Sequence, residues 1–217
     1  MRGFNLANEV GAVESGGALP RDAKLMSKRS RPVRADARRN IDAVIKGAKE
    51  AFKTLGVDAP VRDIAQRAGV GMGTLYRHFP QRADLIAAVF RSEVDACAEA
   101  ASTLAAEHGP AEALGRWMQR YAAYISTKRG LASALYSGDP TYASLPGYFE
   151  QKLVPALQAL LNAAVAAGEA RAGVNPYELL SAVGCLGMNV AAEGDGRVER
   201  AVALMVDGVR FGAKTNI

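Results

Sequence analysis

A chain of 217 residues, 49% hydrophobic and 23% charged, is long enough for a small domain plus a larger one and apolar enough to bury a real core, which excludes a disordered or low-complexity polymer. No apolar run approaches the roughly 18 residues needed to span a bilayer, and the N-terminus lacks a basic-then-apolar leader, so a cytoplasmic protein is expected. The net charge of +5 is unevenly spread: residues 21–40 carry +6, residues 41–83 carry +3, and residues 84–217 carry −3. Positive charge concentrated in the first 83 residues points to a polyanion as partner there.

In chain order, residues 1–33 are rich in Gly, Ser and Ala without sustained periodicity, and read as a disordered basic arm. Within it Lys28, Arg29 and Arg31, with Arg34 just beyond, are placed to track phosphates or enter a minor groove. A first helix is expected from about Asp36 to Leu55, burying Ile41, Ile45, Ala48 and Phe52 and ending at Gly56. A second follows from about Pro60 to Ala68 and a third from about Met72 to Phe79. Between them Gly69 stands where a helix end favours a left-handed residue.

The stretch Val61–Pro80, VRDIAQRAGVGMGTLYRHFP, is therefore two short helices around a glycine-centred turn. Ile64, Ala65 and Ala68 share one face, and Leu75 with Phe79 resume an apolar stripe four residues apart. Small Ala65 permits the close, steep crossing that a helix-turn-helix needs. Off the stripe lie Thr74, Tyr76, Arg77 and His78, all able to meet phosphates or base edges. Arg77 is the best candidate for base reading, because a guanidinium forks guanine O6 and N7. Met72 and Thr74 suit a thymine methyl, Gly73 allows close backbone approach, and Arg62 suits a phosphate at the start of the second helix. No second histidine or carboxylate stands at metal-ligand spacing beside His78, so no metal and no cofactor are expected.

Three ordered blocks, Phe52 to Gly56, Val61 to Val70 and Gly73 to Phe79, make residues 38–89 resemble the DNA-binding domain of the TetR family of transcriptional regulators. The resemblance implies an all-α protein with an N-terminal three-helix helix-turn-helix domain (34–83) and a C-terminal helical ligand-binding and dimerisation domain (84–217). It also implies that Tyr76 bonds a phosphate oxygen and that Arg82, at a position where the family often has lysine, does the same. Two positions depart from the family pattern: Pro60 and Gly71 stand where hydroxyl residues commonly cap helices and touch phosphates.

Beyond the third helix, helices are expected at Arg82–Ala106, Ala111–Ser126, Leu131–Tyr136, Leu145–Ala167, Pro176–Ala191 and Arg197–Phe211, separated by Gly- and Pro-rich breaks such as Gly109-Pro110 and Asn175-Pro176. Cys97 and Cys185, in alanine-rich apolar surroundings, read as buried free thiols. Gly184, Gly187 and Ala191, flanked by Leu180, Val183, Leu186 and Val190, together with the stripe Val202, Met205, Val206 and Val209, suit helix pairing within one subunit or between two. The resemblance implies a homodimer through the last two helices.

Trp117, Tyr121 and Tyr124 fall on one helical face. With Met118, Tyr136, Phe149, Cys185 and Met188 they are candidates to line a mostly apolar pocket for a small apolar or aromatic ligand. An enzyme is not expected: neither G-x-S-x-G nor C-x-x-C occurs, and the Gly69, Gly71, Gly73 spacing follows a helix instead of a strand. The functional expectation is a repressor of a palindromic double-stranded operator, released by a small-molecule inducer. A ligand-independent architectural DNA binder is the alternative, and the acidic balance after residue 84 argues against it.

Overall fold

A computed structural model describes the backbone of residues 22–126, 138–189 and 196–211, with the side chains of 22–35, 126 and 187–189 left aside. The elements in order are α1 (Asp22–Leu55), α2 (Val61–Ala68), α3 (Met72–His78), α4 (Arg82–Glu107), α5 (Pro110–Ser126), a 3-10 turn (Pro140–Tyr142), α6 (Leu145–Ala166), α7 (Pro176–Asn189) and α8 (Arg197–Phe211). The described residues contain no strand, as the all-α expectation requires.

Expected and observed boundaries differ by one or two residues for most helices, because Gly and Pro end them for local reasons. Gly56 and Gly69 both adopt positive φ, 78° and 66°, at the ends of α1 and α2. The Gly69 and Val70 amides close α2 onto the carbonyls of Gln66 and Ala65. Asn175 caps α7, its side chain accepting from the Tyr177 amide at 2.9 Å. The expected helix at Leu131–Tyr136 lies outside the described residues.

The first helix departs most from expectation. It starts at Asp22, not near Asp36, so residues 22–33 are helical where an irregular arm was expected. Lys24, Leu25, Met26, Lys28, Arg29 and Arg31 are good helix formers that need no apolar periodicity, while Pro32, a residue that usually breaks helices, stands inside the helix. Just beyond residues 22–33, Asp36 and Arg39 form an exposed ion pair one turn apart.

Two apolar clusters organise residues 40–217. The smaller joins Val44, Ala48 and Ala51 of α1 to Ile64 and Ala65 of α2, Leu75 of α3, Phe79, and Leu85 and Val89 of α4. The fully buried face of α1 is thus Val44, Gly47, Ala48 and Ala51, while Ile41, Ile45 and Phe52 are only partly covered. The larger cluster packs α4, α5, α6, α7 and α8 around Trp117, Met118, Tyr121, Leu153, Leu157 and Leu180. Phe52 touches both clusters.

Candidate DNA-reading surface and aromatic core

The recognition surface is built on α3. At about 100° per residue, Met72, Tyr76, Gly73 and Arg77 occupy one continuous arc, and all four are exposed. Leu75, 2% exposed, anchors the opposite side, with Phe79 beside it at 7%. Arg77 stands roughly 160° from Leu75 on that wheel and so points straight away from the core. Tyr76 keeps 49% of its surface exposed. Thr74 and His78, one turn apart, are half-buried along the flank of the arc. Arg62 is exposed on the first turn of α2.

Neither departure from the family pattern damages the helix starts. Pro60 sits outside α2 as its cap instead of inside its first turn, and its carbonyl accepts from the Asp63 and Ile64 amides at 3.0 and 3.2 Å. The carbonyl of Gly71 likewise accepts from Thr74 and Leu75 at 3.0 and 3.1 Å. The main chain closes both helices, and only the hydroxyl groups are missing.

Arg82 has a different setting from the one expected. Its half-buried guanidinium donates to the carbonyl of Val57 and, at 2.7 Å, to that of Ala59, so it is turned onto the α1–α2 turn. The amide of Gln81 donates to the Asp84 carboxylate at 3.0 Å, closing the start of α4. Lys49 and Glu93, 2.6 Å apart, tie α1 to α4. Arg31 and Arg34 fall on the part of α1 whose side chains are not described.

In the larger domain, Trp117, Met118, Tyr121 and Tyr124 are all buried, at 0%, 0%, 1% and 7%. The rings form a row: Trp117 and Tyr121 stack nearly parallel at 5.8 Å, and Tyr121 lies 6.1 Å from both Tyr124 and Phe149. The polar ends are engaged. Trp117 Nε1 donates to the Cys97 carbonyl at 2.8 Å, and the Tyr121 hydroxyl donates to the Leu180 carbonyl at 3.1 Å. Burial pushes the Tyr121 and Tyr124 phenols well above their ordinary range. Cys97 is buried as expected, whereas Cys185 is exposed on α7, because its helix turns that side away from the core. Tyr136 and the Met188 side chain lie outside the described residues.

An open groove of about 1000 Å³ runs between α4, α5 and α8, lined by Glu99, Leu104, Arg116, Arg120, Val206 and Arg210 among others. None of the six expected ligand residues whose side chains are described lines it. Sequence reasoning missed this groove because its walls are ordinary charged side chains over a floor of small residues.

Tyr148 and Gly47 were also missed. The Tyr148 hydroxyl donates to both Asp95 oxygens at 2.6 and 2.8 Å, and Lys152 reaches Asp95 at 3.3 Å, which joins α4 to α6. Burial, with the neighbouring carboxylate, pushes the Tyr148 phenol up to about 12. Gly47 lies where α1 crosses α2: an added Cβ would sit 2.9 Å from the Ala68 amide nitrogen and 3.0 Å from the Ile64 carbonyl oxygen. A glycine inside an apolar helical pattern was its only sequence signal.

Two short helices crossing at a glycine turn, with an exposed polar arc on the second and a helical body behind, define a helix-turn-helix DNA-binding protein. Residues 44–89 match the family described as bacterial regulatory proteins, tetR family, and residues 109–211 match the SbtR-like transcriptional regulator C-terminal domain. The TetR transcriptional regulator SCO0520 of Streptomyces coelicolor is 36% identical with a TM-score of 0.67, over 78% of this chain and 98% of its own. A TetR regulatory protein of Mycobacterium vanbaalenii is also 36% identical with a TM-score of 0.65, over 82% and 99%. An HTH-type transcriptional regulator of Staphylococcus aureus is 38% identical over 64 residues, a stretch spanning 29% of this chain and 35% of that relative. The chain belongs to the TetR family of transcriptional regulators, DNA-binding transcription factors and not enzymes.

Proposed function

We propose that this protein is a cytoplasmic repressor that binds a palindromic operator as a homodimer and leaves it when a small apolar or aromatic ligand enters the larger domain. The observation that carries the DNA part is the exposed arc of α3, with Arg77 opposed to the Leu75 anchor. Arg77 and Thr74 read bases, Met72 meets a thymine methyl, and Gly73 admits the backbone. Tyr76, His78 and Arg62 hold phosphates.

Selecting bound genomic fragments with the purified protein supplies the operator. On it, Arg77→Ala is expected to cost about 1 to 3 kcal/mol and to relax preference at one base position. Tyr76→Phe is expected to weaken all sequences alike. Equal affinity of the wild-type protein for selected and random DNA at physiological salt would overturn the reading.

The dimer reading has its own support. Of the stripe Val202, Met205, Val206 and Val209, which suits pairing within one subunit or between two, the three valines are buried within the subunit and Met205 is partly buried. They pack with Leu114 and Trp117 of α5 in the same cluster, so they are core. The opposite face of α8 carries Arg197, Ala201, Leu204, Gly208 and Phe211 at alternating spacings of four and three, with Leu204 and Phe211 73% and 72% exposed. On α7, Tyr177 and Ser181 are exposed one turn apart, Tyr177 at 49%. Two such helices paired with their copies make a four-helix interface. Leu204→Glu is expected to yield monomer in sedimentation and to lose palindrome binding while keeping helical content; a dimeric variant would sink this assignment.

The ligand part rests on the aromatic row of Trp117, Tyr121 and Tyr124 on α5 and Phe149 on α6, with Met118 buried beside it on α5. Cys185, exposed on α7, together with Tyr136 and Met188, completes the expected set. Because the described rings are in mutual contact, a ligand must part them to enter. An inducer that binds only the folded state is expected to quench Trp117 fluorescence and raise Tm. A broad panel in which nothing shifts both fluorescence and operator affinity would sink it.

A further inference from the structure

Arg82 opens α4, and its guanidinium is shared between the Val57 carbonyl and the Ala59 carbonyl, the latter at 2.7 Å. Those carbonyls belong to the turn that sets where α2, and through it α3, departs from α1. The turn stands at the meeting of the two cores: Val57 packs against the larger cluster, and Ala59, 1% exposed, belongs to the smaller. The cation also acts on Tyr142 of the 3-10 turn, opposing the burial, Asp139 and Asp84 that together push that phenol up. One guanidinium thus joins the α1–α2 turn to the first turn of α4, close enough to the 3-10 turn for Tyr142 to feel its charge.

We propose that Arg82 is a positioning residue for DNA recognition: by bridging the Val57 and Ala59 carbonyls to the start of α4 it fixes the placement of α3 against the body of the subunit, and it is not a phosphate anchor. Swinging out to a phosphate would withdraw a charged donor from two carbonyls of a half-buried turn, which is costly. The geometry also demands arginine. A planar fork spans two acceptors at a fixed angle, whereas a lysine ammonium is a point charge on a flexible stem. A phosphate contact would accept either cation.

The test measures full-length wild type, Arg82→Lys and Arg82→Gln on the selected operator and on random duplex by fluorescence anisotropy across a salt series, with melting curves alongside. Both variants are expected to lose about tenfold or more on the operator and little on random DNA, since two charged hydrogen bonds are at stake and 1.4 kcal/mol is tenfold. Their dependence of affinity on salt is expected to keep the wild-type slope. A phosphate anchor gives the opposite result: Arg82→Lys keeps its affinity, and Arg82→Gln shortens the slope by about 0.9 on both duplexes. That result overturns the proposal. So does a lowered Tm with an unchanged operator-to-random ratio, which would make Arg82 a residue of stability alone. The inference rests on the DNA-binding reading, and the wild-type protein separates the two failures. Wild type without operator preference overturns both, whereas a selective wild type with tolerant variants overturns only this one.

Discussion

Gly47→Ala is expected to destabilise the DNA-binding domain by about 1 to 3 kcal/mol, the usual cost of overpacking, and to reduce operator affinity with it. In an exposed helix the same change gains up to about 1 kcal/mol from propensity, so the sign depends on what the new methyl meets. Here it meets the Ala68 amide nitrogen at 2.9 Å and the Ile64 carbonyl oxygen at 3.0 Å. Both are main-chain atoms of α2, which no rotamer change can move aside. Relief requires α1 and α2 to separate, and α3 follows α2. Urea denaturation compared with operator titration checks this; an alanine variant as stable as wild type would show that the crossing has slack.

Trp117→Ala is expected to have the largest effect on stability, about 3 to 5 kcal/mol, out of a total of about 5 to 15 for an ordinary domain. The indole is wholly buried, stacks on Tyr121 at 5.8 Å and bonds the Cys97 carbonyl at 2.8 Å. Tyr121→Ala belongs to the same class and is therefore a poor probe of ligand sensing. Tyr121→Phe is the better one: it keeps the stack, loses the bond to Leu180, and is expected to cost about 1 kcal/mol, or about 2 to 4 °C in Tm for a chain of this size. It should still bind the operator while responding differently to an inducer. Thermal melts of the three variants set the order, and a Tyr121→Phe protein that melts like Tyr121→Ala would place the role in the hydroxyl instead of the ring.

The reading helix was legible because its signals are local. Gly69 needs positive φ, and Leu75 with Phe79 marks the inward side, so Tyr76 and Arg77 are outward by elimination. The helices of the larger domain were legible for a similar reason: Pro and Gly mark their ends. What was not legible depends on distant partners. Val202 and Leu204 are both apolar and both at helical spacing, yet one is fully buried and the other 73% exposed. Periodicity finds two faces on α8 and does not say which one meets α5. Arg82 follows a helix boundary, as a phosphate ligand would, but its acceptors lie 23 and 25 residues earlier. The start of α1 was misplaced because residues 22–33 lack an apolar stripe and carry Pro32, which reads as a helix break.

The first turns of α4 distribute their side chains between the two clusters. Leu85 and Val89 enter the DNA-binding one, while Ala83, Ile86, Ala87 and Phe90 enter the larger one. A helix embedded on both flanks has no free direction in which to roll, since a rotation of one residue, about 100°, would present each cluster with the other's side chains. Sliding and tilting keep every side chain with its own neighbours. If the proposed ligand does release the operator, a shear of α4 along its two grooves is the movement this packing allows, and substitutions that swap size between Leu85 and Ile86 are expected to oppose it.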